Sequence, residues 1–169
     1  MNNFVILNNT LRFLMVTLIQ VTILKTASHT VPMLEVFIYP ITILMLPFGT
    51  PNFILLPFAF ILGLIIDSFY NCPGVHASVF LVTAFLRPFY LLLIKPRGGY
   101  ETDDYPTKKS MGAVWFFQYV SALMFVHIFL FFIVFGLSFG LDIILRILYS
   151  YVVSMVLITL YTYLFNPKY

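Results

Sequence analysis

Long apolar runs separated by short turn-forming stretches set the pattern of this chain. Six of them, at 4–24, 32–46, 53–70, 76–94, 113–135 and 141–165, are predicted to be transmembrane helices. A crossing helix takes about 20 apolar residues. The runs are continuous and do not alternate, so helices, not a closed barrel, satisfy their backbones in lipid. Between them lie Asn71-Cys72-Pro73-Gly74, Phe48-Gly49-Thr50-Pro51-Asn52 and Gly136-Leu137-Ser138-Phe139-Gly140, all rich in turn residues. The 32–46 run is the shortest and carries Glu35 near its start and Pro40 within it, with Pro47 just beyond. It is predicted to be kinked, thin or re-entrant. The 4–24 run has the outline of a signal peptide. Lys25, however, stands where a small residue would precede a cut after Ala27, so it is expected to be a retained helix.

Composition agrees with this pattern. Of 169 residues, 62% are hydrophobic and only 9% charged, against about 25% charged in soluble domains. The expected fold is an all-α integral membrane protein, one polytopic domain over 1–169 with about six transmembrane helices. Charge then sets orientation. The one long polar stretch, 95–112, carries Lys95, Arg97, Lys108 and Lys109. By the positive-inside rule it is a cytoplasmic loop, which places both termini in the cytoplasm. The acids Glu101, Asp103 and Asp104 in that loop read as part of a solvated, flexible segment.

Polar residues inside apolar runs are the candidates for function. Asp67 heads them, because a carboxylate at a helix centre costs about 2.5–3.5 kcal/mol on insertion scales and therefore faces protein or water. Gly63 lies one helical turn before it, so a neighbouring backbone could come close. Asp142 and Arg146 share a helical face and can pair locally; the alternative takes Arg146 across to Asp67. Either a substrate or ion site or a buried pair that fixes packing would account for them. Arg87, followed by Pro88, reads as an anchoring cation at a kink or as a cation facing a partner helix.

His29, His76 and His127 are scattered without ligand spacing, and Cys72 is the only cysteine, so no metal site and no disulfide are expected. No nucleophile elbow, phosphate loop or metalloprotease motif is present. No enzymatic activity, cofactor or nucleic-acid binding is expected.

The order Gly63-Leu64-Ile65-Ile66-Asp67, then Pro73-Gly74-Val75-His76-Ala77 and a helix reaching Leu86-Arg87, resembles the rod shape-determining membrane protein family MreD. The specific likeness covers about a quarter of the chain, the remainder matching in hydropathy and span count. It implies a non-enzymatic bacterial inner-membrane subunit of the cell-wall elongation machinery. Its implied partners are the bitopic protein MreC, the peptidoglycan polymerase and transpeptidase pair, MreB filaments and membrane lipid. Gly63, Asp67, Gly74 and His76 are the positions that carry over. The family is also similar in fold to the substrate-binding membrane subunits of energy-coupling-factor transporters, so a vitamin-type uptake component is the alternative.

Overall fold

The computed structural model describes residues 13–30, 34–102, 104–135 and 140–164, without the side chains of 27–29. Residues 4–12 of the first expected span, with Arg12, lie outside the described residues. So do Asp103, the 136–139 turn, the 165–169 end and the side chain of His29.

Helix α1 covers 13–30, its apolar part Phe13–Leu24 passing through a π turn at Gln20–Leu24 and continuing as Lys25–Thr30. The short α2 is Ile41–Leu44, followed by α3, Asn52–Tyr70, and α4, Val75–Leu93. A single turn of helix, α5 at Lys108–Met111, precedes α6, Ala113–Val134, and α7, Leu141–Leu164. All regular structure among the described residues is helical. Four helices, α3, α4, α6 and α7, are long and apolar enough to cross a membrane. The residues gather into two compact units: Met1–Thr42 with Ser138–Tyr169, and Ile43–Leu137.

In the first unit, α7 buries small polar residues beside Ile143, Ile158 and Tyr161 and is apolar outside. Its buried positions include Ser150, Ser154 and Thr162, while Ile144, Leu148, Val152, Val156 and Leu160 are exposed. An apolar outer face with small polar residues inside suits lipid, where burying another leucine gains little and such residues join helices.

The serines meet a stretch that is not helical. Residues 34–38 carry no regular structure, and 36–45 are buried throughout. In place of the predicted 32–46 helix, the described part of this run is a stretch without regular structure at 34–38, a turn at Tyr39-Pro40 and the four residues of α2. Pro40 has no N–H to continue a helical ladder, and an unwound backbone survives at depth only when protein supplies its partners. Here the partners alternate as they do along a β-strand. The amides of Glu35 and Phe37 donate to Ser150 Oγ (3.0 Å) and Ser154 Oγ (2.9 Å). On the alternate residues, Gln20 Nε2 donates to Val36 O (2.7 Å) and its Oε1 accepts from Ile38 N (2.9 Å). One carboxamide thus stands in for a peptide unit of a neighbouring strand.

Gln20→Leu is expected to remove the carboxamide donor to Val36 O and the acceptor of Ile38 N, at roughly 1–3 kcal/mol each. A lowered melting temperature in detergent, with Gln20→Asn intermediate or equally harmful, would report it; an unchanged melt would refute this role.

The second unit is built on α4, which packs against both α3 and α6. Its buried residues His76, Phe80, Thr83, Arg87 and Leu91 recur every three or four positions. Phe85, Phe89, Leu92 and Leu93 are exposed, so the outer surface is as apolar as the inner one.

The polar loop differs from expectation. Phe48 N donates to Asp104 O and Gly49 N to Thr102 O, both at 3.0 Å, tying the acidic stretch to the turn before α3. Gly49 is pressed against Thr102 so closely that a Cβ would lie 2.8 Å from its carbonyl oxygen. Thr107 and Ser110 cap α5 reciprocally. The loop is solvated at Glu101 and Thr102, but it is held in place.

Candidate functional site

The turn between α3 and α4 needs two left-handed residues and has them in Asn71 (φ 54°) and Gly74 (φ 85°). These are the residue types that adopt this conformation at low cost. With Gly74 as its N-cap residue, α4 has no capping side chain of its own. Asp67, still within α3, supplies the cap. Its Oδ1 accepts from His76 N (2.8 Å) and its Oδ2 from Ala77 N (3.0 Å) and Gly74 N (3.1 Å). Val75 N reaches Cys72 O at 3.3 Å, and Ser78 N begins the helical ladder on Gly74 O at 3.0 Å. Every amide of the first turn therefore has an acceptor. The negative charge lies at the positive end of the α4 dipole, where it is favoured.

Gly63 allows this approach. A Cβ there would fall on the Cα of Ala77 and lie 2.7 Å from its nitrogen, the same nitrogen that donates to Asp67. Gly63→Ala is expected to part the two helices and weaken the cap, costing about 1–3 kcal/mol as overpacking does. Gly63→Leu is expected to be worse. Folded yield in membranes would rank the three, and a Gly63→Ala protein equal to the parent would show that the contact yields.

His76 is buried, its ring 4.8 Å from Tyr70 and 4.9 Å from Phe131. Further along α4, Thr83 Oγ1 lies within hydrogen-bond distance of Val79 O (2.8 Å) and of Nδ1 of His127 on α6 (2.9 Å). Among the described residues no group of three His, Cys, Asp or Glu side chains could hold a metal ion.

Arg87 does not snorkel. It is 1% exposed, the largest of the fully buried side chains. Its Nη2 donates to Leu46 O (2.5 Å) and Pro47 O (3.2 Å), and its Nε donates to Tyr119 Oη (3.0 Å). Tyr119 in turn donates to Leu44 O at 2.9 Å. The guanidinium fork and the phenol thus close the carbonyls at and just after the end of α2, the negative end of a helix. The anchoring role read from sequence survives in changed form: the cation anchors protein, and the expected reach to the interface is absent.

Gly63, Asp67, Gly74 and His76 therefore meet at one end of the α3–α4 hairpin, while Arg87 serves a different purpose further down α4. Asp142 is exposed and Arg146 half-buried on α7, in the other unit. Both oxygens of Asp67 are engaged by its own hairpin. Gln20, Ser150, Ser154 and Tyr119 were not among the residues that sequence singled out for a site. The available signals were Gln20, polar within the apolar 4–24 run, and Ser150 with Ser154, a polar pair one turn apart on an apolar helix. No protein-family model, curated protein or solved structure matches the chain.

Proposed function

We propose that this protein is a multi-pass membrane scaffold of the MreD kind, a non-enzymatic subunit through which cell-wall elongation proteins are held together. One observation carries the reading: polar groups within the apolar segments serve the chain's own backbone. Gln20, Ser150 and Ser154 hold residues 35–38, Asp67 holds the start of α4, and Arg87 with Tyr119 holds residues 44–47. The outer faces are bulky and apolar, as suits helix-to-helix contact in lipid. MreC, the polymerase–transpeptidase pair and MreB filaments are the proposed partners, on the resemblance around Asp67 and Gly74.

A six-pass arrangement with both termini and loop 95–112 in the cytoplasm is part of the proposal. The unwound segment supports it. Glu35 lies beside Ser150 and Phe37 beside Ser154, so the segment runs in the same direction as α7. A chain that leaves the helix advances more than the helical value of about 1.5 Å per residue, which gives a short run greater reach across a bilayer.

The test is purification of the full chain in mild detergent with partners identified by mass spectrometry. Recovery of the elongation proteins supports the scaffold. Recovery of a transporter ATPase core instead would favour the uptake subunit, to which the unwound segment among helices gives some support. For orientation, single cysteines in loop 95–112 of a Cys72→Ser background should resist an impermeant thiol reagent in spheroplasts. Ready labelling would reverse the assignment.

A further inference from the structure

Where loop 95–112 joins them, α4 ends and α6 begins in a cluster of amphipathic rings. Trp115 Nε1 donates to Ile94 O (3.1 Å) and Tyr100 Oη to Leu91 O (3.0 Å), closing carbonyls at the end of α4. Phe48 stacks on Tyr100 with ring centres 4.2 Å apart and meets Trp115 edge-on at 5.9 Å. Partial burial lifts the Tyr100 hydroxyl above the ordinary phenol range. Tryptophan and tyrosine favour the headgroup level of a bilayer, so this cluster marks a membrane boundary.

Exposed apolar residues and exposed cations adjoin on both helices here. On α4, Leu92 (69% exposed) and Leu93 (78%) are followed by exposed Lys95 and Arg97. On the approach to α6, exposed Lys109 precedes Val114, which is 84% exposed. The Trp115–Ile94 bond ties these two chain segments together. Lys108 lies over the ring of Phe117, 5.8 Å from its centre. The loop's described acids, Glu101 and Asp104, are on the stretch tied to Phe48 and Gly49.

We propose that this edge, with Lys95, Arg97 and Lys109 beside Leu92, Leu93 and Val114, binds an anionic membrane phospholipid through its phosphodiester headgroup. The occupant must offer negative charge and hydrocarbon within a residue or two of each other. An anionic phospholipid joins the two covalently, whereas an acidic soluble protein would leave the leucines and valine in water. Orientation-setting cations need only lie on one side of the membrane. A lipid site further requires that they prefer an anionic headgroup over a zwitterionic one at this spot.

Trp115 is the only tryptophan, so its fluorescence reports on this edge alone. The full chain would be reconstituted in phosphatidylcholine bilayers containing a fixed fraction of lipid brominated near the headgroup end of its acyl chains. That lipid would be either phosphatidylglycerol or phosphatidylcholine. Stronger quenching by brominated phosphatidylglycerol is expected, with a relative affinity of about fivefold for each cation engaged. The preference should fall towards unity as salt rises, and in a Lys95→Gln/Arg97→Gln/Lys109→Gln variant at low salt. Equal quenching of that variant and the parent by brominated phosphatidylcholine would show that Trp115 keeps its place. Equal quenching of the parent by both lipids would overturn the proposal, as would a preference that survives in the variant or ignores salt. The salt series needs only the parent protein, so it decides even if the triple variant fails to fold.

Discussion

Asp67→Ala is expected to cut folded yield sharply and to lower the melting temperature more than any neighbouring polar substitution. Two buried amides, of His76 and Ala77, lose a charged acceptor, and the part-buried amide of Gly74 loses one with them. Bonds to a charged group contribute roughly 1.5–3 kcal/mol each, which puts the loss on the order of 3–6 kcal/mol for the buried pair. Both amides are buried in protein, which keeps water from taking over the acceptor's place. Asp67→Asn keeps one carbonyl oxygen but turns an NH2 group towards amide hydrogens, so it should recover little. Adding Arg146→Gln to Asp67→Asn should restore nothing, because the acid is held inside its own hairpin. Full recovery in that double variant would mean the two charges answer each other, and would sink the capping role.

Arg87→Met is the second large effect. Methionine keeps much of the stem volume but takes the guanidinium donor from Leu46 O and Tyr119 Oη, while Pro47 O keeps its bonds from Thr50 Oγ1 and Thr50 N. Removing one member of a buried charged contact typically costs about 3–5 kcal/mol. Arg87→Lys should be intermediate, since a single ammonium cannot serve the phenol and both carbonyls in the planar fork geometry. Tyr119→Phe should be milder, about 1–2 kcal/mol, as it removes one neutral bond to Leu44 O and one acceptor for Nε. Thermal melts followed by Trp115 emission give the order directly. If Arg87→Met melts with the parent, the guanidinium is not what holds residues 44–47.

These two residues share a principle. A carboxylate caps the amide end of one helix and a guanidinium caps the carbonyl end of another, so among the described residues each charge is met by backbone groups, joined for Arg87 by the Tyr119 hydroxyl. Hydrophobic burial discriminates poorly between folded and unfolded arrangements in lipid, which leaves packing and such bonds to fix the tertiary structure. Breaking the partners of the unwound segment, of α4 or of α2 should therefore each be felt separately.

What the sequence determined by itself was set by properties of single segments. Hydropathy and length marked α3, α4, α6 and α7 as crossing helices, because in lipid a segment must satisfy its own backbone whatever surrounds it. Asn71 and Gly74 marked the hairpin turn through backbone sterics alone. Pro40 and Pro47 warned that the 32–46 run would not be a straight helix. The cost of a charge in lipid made Asp67 and Arg87 candidates, and Gly63 lay visibly on the Asp67 face.

Partners are another matter, because they join residues far apart in sequence. That Asp67 serves the next helix's amides depends on how far the Asn71–Gly74 turn folds α4 back over Gly63. That Arg87 stays buried depends on residues 44–47 offering carbonyls beside α4. The unwound 34–38 stretch exists only because Gln20, Ser150 and Ser154, up to 117 positions away, replace the bonds a helix would have made within itself. Hydropathy scores each residue by its own cost of transfer to lipid. Whether that cost is met is decided by which donor and acceptor the tertiary structure brings to it.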